Sequence, residues 1–312
     1  TLRRNSFYTL TKFANCPGPI DGTPRFYTIQ RSRYEELSGC GKQQFQALAS
    51  LSPELRAEWI SALILDKPGE GRDEFFERIV ARMGDLSHDP WLLGDAMAAN
   101  MKLFGAEGVR YIEAQTGIGG FLDTSGKAMP PEEANRILME RLQAPDAVAA
   151  GVTVRFQGVI IRFAPDAEQR LETMYAWVAA HRSQWVGINM AGREDNDKGY
   201  ALRFLTTYRR MRRTYSGIPL SIHAGEKDNP GREVRDTLLL GASRIGHGVN
   251  LITDPDTMLP LRNNRYLVEI NLVSTRLLEY VPDPSRHSFP EYLRTGIPVC
   301  LNTDDGARGI RI

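Results

Sequence analysis

Three short stretches carry residue types and spacings suited to chemistry. In Ser221-Ile222-His223-Ala224-Gly225-Glu226 an apolar run ends in a histidine, followed by two small residues and a glutamate. A histidine at a strand end can face a cavity as a neutral metal ligand. Gly225 permits a sharp turn there, which brings Glu226 to the same cavity. In Arg244-Ile245-Gly246-His247-Gly248 a histidine stands between two glycines, so its imidazole is accessible and backbone can approach closely. In Leu301-Asn302-Thr303-Asp304-Asp305 two adjacent carboxylates close an apolar run. Such a pair repels itself and needs a cation or a strong donor nearby. Each stretch also has a plainer reading: a hydrogen-bonded strand-end histidine beside a surface glutamate, a loop histidine, and an aspartate cap opening a helix.

These stretches need elements to position them, and the sequence supplies an alternating series. Short β-rich runs occur at 109–116, 152–163, 185–191, 220–223, 244–246, 266–272 and 299–302. Between them lie amphipathic stretches at 131–142, 167–181, 199–215, 232–240 and 287–294. Strand and helix in alternation predict a parallel sheet with helices outside it. Polar residues gather at the C-terminal ends of several runs: Glu113 and Gln115, Asn189, His223 and Glu226, His247, Asn271 and Ser274, Asp304 and Asp305. Convergence of strand ends on one mouth is how a (β/α)₈ TIM barrel builds its site, so an α/β barrel is the expected fold. A dinucleotide fold is disfavoured, because Gly117-Ile118-Gly119-Gly120 does not fit the G-x-G-x-x-G fingerprint.

Residues 1–108 read differently, as a helical segment decorating the barrel mouth of residues 109–312, the whole forming one structural domain. The best helices are 54–64, 73–83 and 91–104. Ser52 before Pro53 is a helix cap followed by proline at the first helical position.

The 312 residues suffice to bury a large core without staples. Basic and acidic side chains number 39 and 38, so no global charge draws the chain to nucleic acid or an anionic membrane. Arg209-Arg210-Met211-Arg212-Arg213 is read as the solvated face of a helix. No apolar run is long enough to span a bilayer. A soluble protein is expected, whether cytoplasmic or exported. None of Cys16, Cys40 and Cys300 forms a C-x-x-C pair. Cys16 and Cys40 can pair in an oxidising compartment, whereas Cys300 reads as an inert core thiol.

Taken together, the three stretches resemble the adenosine deaminase family at the fifth, sixth and eighth strands of its barrel. Gly187-Ile188-Asn189-Met190-Ala191-Gly192-Arg193-Glu194 resembles the family's fourth-strand segment. The resemblance covers residues 109–305. The N-terminal segment is similar to the larger insert of the growth-factor-related branch, chiefly at Gly71-Arg72-Asp73-Glu74-Phe75-Phe76. It implies a zinc-dependent hydrolytic deaminase of a small-molecule purine, adenosine or deoxyadenosine first, with adenine or a modified adenosine as alternatives. Residue by residue it implies that His223 and Asp304 bind Zn²⁺, which acidifies the water that attacks C6. Glu226 would protonate ring N1, and His247 would stabilise the attacking oxygen. Asp305 and the Gly192 backbone would hold the two edges of the purine.

The family's first strand also carries a His-x-His, and no two of His88, His181, His223, His247 and His287 are so spaced. One reading is that the first strand lies upstream of Thr1 and the last helix beyond Ile312. The other is a purine-binding or growth-factor-like protein that has lost its metal. The first is adopted, because Glu226, His247, Asp304 and Asp305 make coherent chemistry together. Glu269-Ile270-Asn271-Leu272-Val273-Ser274-Thr275 also departs from the family, which often has a Pro and a Ser-Asn there.

Overall fold

The computed structural model describes residues 7–12 and 23–304. They form two compact units. One is built from residues of 7–110 and 118–152, the other from 111–117 and 153–304.

In the first unit, β1 (Phe7–Leu10) pairs antiparallel with β2 (Thr28–Gln30) and β3 (Phe45–Ala47) in the order β2-β1-β3. The expectation of a mostly helical first hundred residues overlooked this sheet. Its strands are only three or four residues long, too short to show an alternating pattern. The three expected helices are present. Pro53–Ser61 begins where the Ser52 hydroxyl accepts from the Leu55 N–H at 3.2 Å. The stretch 71–83 is helical throughout with a π turn at Glu74–Ile79. Pro90–Ala106 is capped by Asp89, which accepts from the Leu92 N–H at 2.8 Å. Helix Pro131–Leu142 packs on Pro90–Ala106, and Phe121, Met129, Ala134 and Ile137 form a small core there. Cys40 is disulfide-bonded; Cys16 lies outside the described residues.

The second unit holds a parallel sheet of seven strands: β4 (Tyr111–Thr116), β5 (Thr153–Ile161), β6 (Trp185–Ala191), β7 (Leu220–Ala224), β8 (Arg244–His247), β9 (Leu267–Ile270) and β10 (Val299–Leu301). Neighbours in sequence are neighbours in the sheet, from β4 at one edge to β10 at the other. Each of the seven expected runs is a strand. Helices connect them, including Pro255–Asn264 between β8 and β9, where Pro260 within the helix obscures the pattern. Helix Ala167–Ala180 buries Leu171, Met174, Tyr175 and Val178 and packs on β5 and β6.

The sheet curls into a half-barrel, and one contact demonstrates it. The Arg244 guanidinium on β8 lies 2.5 Å from the Glu113 carboxylate on β4. Three strands separate β4 from β8, so a flat sheet would hold them about 19 Å apart, beyond the reach of both side chains. Curvature brings the two strands face to face across the interior. Cys300 is a half-buried free thiol on the edge strand β10, not a core residue; burial pushes its pKa up.

Candidate active site

The ends of β7, β8 and β10 bring His223, Glu226, His247 and Asp304 together. His223 is the fourth residue of β7, and its partner on β8 is Gly246. A Cβ on Gly246 would stand 3.2 Å from the His223 ring, so glycine leaves the imidazole its space. Strand alternation accounts for the direction of His223 but not of His247. Arg244 faces the barrel interior, and a residue three further on belongs to the opposite face. His247 has φ 64, a left-handed backbone that turns its ring back inward. The His223 and His247 rings then lie 4.8 Å apart. Asp304 likewise has φ 56, so it does not have the extended backbone of a helix cap.

The polar partners set the protonation states. His223 Nδ1 lies 3.1 Å from the Met190 carbonyl and donates to it, leaving the Nε2 lone pair available. Burial lowers the His223 pKa, and the neighbouring His247 lowers it further, so the ring is neutral. His247 Nδ1 is 3.0 Å from Glu226 Oε1, and its Nε2 is 3.9 Å from Asp304 Oδ2. Burial alone would keep His247 neutral; the Glu226 and Asp304 carboxylates outweigh it and raise the imidazole to about 9. Burial raises the Glu226 pKa, against the opposing pull of His247. The Asn271 amide nitrogen lies 3.3 Å from His247 Nδ1.

Two buried groups support these residues from behind. Glu194, 8% exposed, accepts from the Gly225 N–H at 2.9 Å and the Glu226 N–H at 3.1 Å. Arg162, 1% exposed at the end of β5, donates to the carbonyls of His223 at 2.5 Å and Met190 at 3.3 Å. Gly192 follows β6 at φ 100, and a Cβ there would meet the Phe163 ring at 2.9 Å; glycine is required. Asp305 lies outside the described residues.

Other expected positions fall elsewhere. Glu113 is not at the mouth; it lies deeper, bound to Arg244 and to the Gln157 amide. His88 ends the turn Gly84–His88, and His181 stacks on Trp177 at the end of its helix. His287 is buried, with Nδ1 accepting from the Phe289 N–H at 3.1 Å. Sequence reading missed Arg162, which no motif flags, and gave Glu194 no role.

The donor set suits a divalent cation. One ligand atom from each of His223, His247 and Asp304 lies within 4.8 Å of the others. Ligands on tetrahedral zinc sit about 3.4 Å apart, so small rotations would close two or three of these atoms on a metal. The neutral His223 with a free Nε2 and the Asp304 carboxylate are ready ligands. The raised, protonated state of His247 suits it to donate a hydrogen bond beside them.

The adenosine deaminase family model matches residues 98–309. The adenosine deaminase of Vibrio cholerae is 33% identical over 162 residues, covering 50% of this chain and 45% of that protein. The chain thus spans about half the length of the curated relatives it matches. A zinc-bound amidohydrolase from Burkholderia ambifaria superposes with a TM-score of 0.62 at 22% identity, over 75% of this chain and 66% of the other. The N6-mAMP deaminase of Arabidopsis does so with a TM-score of 0.65 at 20% identity, over 78% and 71%. The half-barrel therefore shares the fold of TIM-barrel deaminases.

Proposed function

Because the chain belongs to the adenosine deaminase family, we propose that the full protein is a metal-dependent hydrolase that removes the amino group of a purine, with adenosine or deoxyadenosine as substrate. The observation that carries this reading is the pairing of a neutral His223, its Nε2 free, with Asp304, beside a buried Glu226 whose pKa is raised.

His223 and Asp304 would hold zinc. Bound there, the ion supplies Lewis acidity and brings the pKa of a water toward neutrality. Glu226 carries the proton for ring N1; burial favours its acid form, and protonation of N1 makes C6 electrophilic. Glu226 and His247 compete for a proton across their 3.0 Å contact, and His247 gains it as Glu226 gives its own up; with hydrogens on both ring nitrogens, His247 then donates to the oxygen that attacks C6 and steadies the charge developing on it. The Gly192 backbone and Asp305 hold opposite edges of the purine. Ammonia leaves from C6, and the product of adenosine is inosine.

The test is ammonia release from adenosine by the zinc-loaded full-length protein, run beside methylamine release from N6-methyl-AMP because one structural neighbour is an N6-mAMP deaminase. Release from adenosine that disappears in His223→Ala supports the reading. Release from the methylated nucleotide alone replaces the substrate and keeps the chemistry. A zinc-loaded protein silent on both contradicts the deaminase assignment.

A further inference from the structure

We propose that Glu194 is a positioning residue: its carboxylate holds the backbone of the Gly225–Glu226 turn and thereby fixes where the Glu226 side chain stands. The inference rests on the reading of Glu226 as the proton carrier.

A proton carrier must keep its place to within a fraction of an ångström, and the local backbone does not provide that. β7 ends at Ala224, so neither Gly225 nor Glu226 belongs to a strand. Gly225 stands at φ 80, and glycine contributes no side chain to hold the turn. The restraint comes from outside the segment. Glu194 Oε2 accepts from the Gly225 N–H at 2.9 Å and Oε1 from the Glu226 N–H at 3.1 Å. Each oxygen serves one of two successive amides. On the other side of the turn, Arg162 binds the His223 carbonyl at 2.5 Å, and the same nitrogen reaches the Met190 carbonyl that accepts from His223 Nδ1. A buried cation and a buried anion, from the ends of adjacent strands, thus grip carbonyls and amides of one turn with opposite polarity. Burial raises the Glu194 pKa, and the Arg162 charge and the two N–H donors oppose that rise by favouring the carboxylate.

The arrangement calls for a carboxylate in particular. A glutamine of the same size has one acceptor oxygen and one NH₂ group. Whichever way its amide is turned, one of the two backbone N–H groups faces a donor and the turn loosens. Groups that orient residues of a metal site in this way commonly affect activity about 10–100-fold.

The test uses the full-length protein and amide hydrogen exchange resolved at Gly225 and Glu226, together with steady-state kinetics on adenosine. In the unaltered protein both amides should exchange slowly. In Glu194→Gln they should exchange faster, with kcat down about 10–100-fold and with KM and bound zinc close to the unaltered values. A role confined to general stability would lower the folded fraction and leave kcat per folded molecule unchanged. That result, or rapid exchange at both amides in the unaltered protein, overturns the proposal; the second needs no variant to fold. Absence of any turnover would sink the catalytic reading, and exchange would still decide whether Glu194 holds the turn.

Discussion

Two groups of charges share the interior of the half-barrel and are treated in opposite ways. Deeper inside, Glu113, Arg244, Glu269, Gln157 and Ser221 satisfy one another. Arg244 reaches Glu113 at 2.5 Å and Glu269 at 3.3 Å, the Ser221 hydroxyl donates to Glu269 at 2.8 Å, and the Gln157 amide donates to Glu113 at 2.5 Å. Burial works against the Glu113 carboxylate, but Arg244 and Gln157 outweigh it and lower its pKa. At the strand ends the balance reverses. Burial pushes Glu226 toward its acid form and His223 toward its neutral form, the Glu226 and Asp304 carboxylates pull His247 toward its charged form so that Glu226 and His247 compete for a proton, and His247 and Asp304 have left-handed backbones. Perturbed protonation with backbone strain marks a site that works on something else; mutual satisfaction marks a scaffold.

The contrast can be broken most strongly at Glu226. Glu226→Gln should keep the fold and the bound zinc while turnover falls about 10²–10⁴-fold, the contribution of a positioned general acid. Turnover near the unaltered rate would remove Glu226 from the chemistry. In the deeper group the expected loss is stability. Arg244→Met leaves Glu113 and Glu269 facing each other without a cation and should cost about 3 kcal/mol in denaturant unfolding. A loss of activity with unchanged stability would place that group in the site instead.

A smaller effect tests the turn that follows β6 at Gly192. Gly192→Ala forces a Cβ against the Phe163 ring at a positive φ. It should destabilise by about 1–3 kcal/mol and raise KM for adenosine more than it lowers kcat; an unchanged KM would argue against substrate contact at Gly192. Smallest of all, Ser52→Ala in the other unit removes a helix cap, at about 1 kcal/mol, and should leave kcat and KM unchanged.

The two groups also differ in how far the sequence disclosed them. The rim was legible because His223, His247 and Asp304 end strands, and strand ends are marked by glycines and by a break in apolar runs. Of the seven strands, β5 and β6 are long enough to stand out, whereas β7 and β8 are short and were legible partly through the rhythm of alternating strand and helix. The scaffold group was not. Glu113 resembles a mouth residue in sequence, and only curvature, which sets β4 opposite β8, shows that its partner is Arg244, 131 residues away. Arg162 and Glu194 were hidden because their partners are backbone groups, which leave no residue-type signature. The sheet β2-β1-β3 was hidden because pairing, not pattern, defines strands so short.

Bound zinc in the full-length protein tests the central claim most directly. Equilibrium dialysis should leave about one zinc per chain, retained in Arg244→Met and lost in Asp304→Asn. Equal zinc content in the unaltered protein and in Asp304→Asn, or none in either, would contradict the assignment of these strand ends to a metal-dependent site.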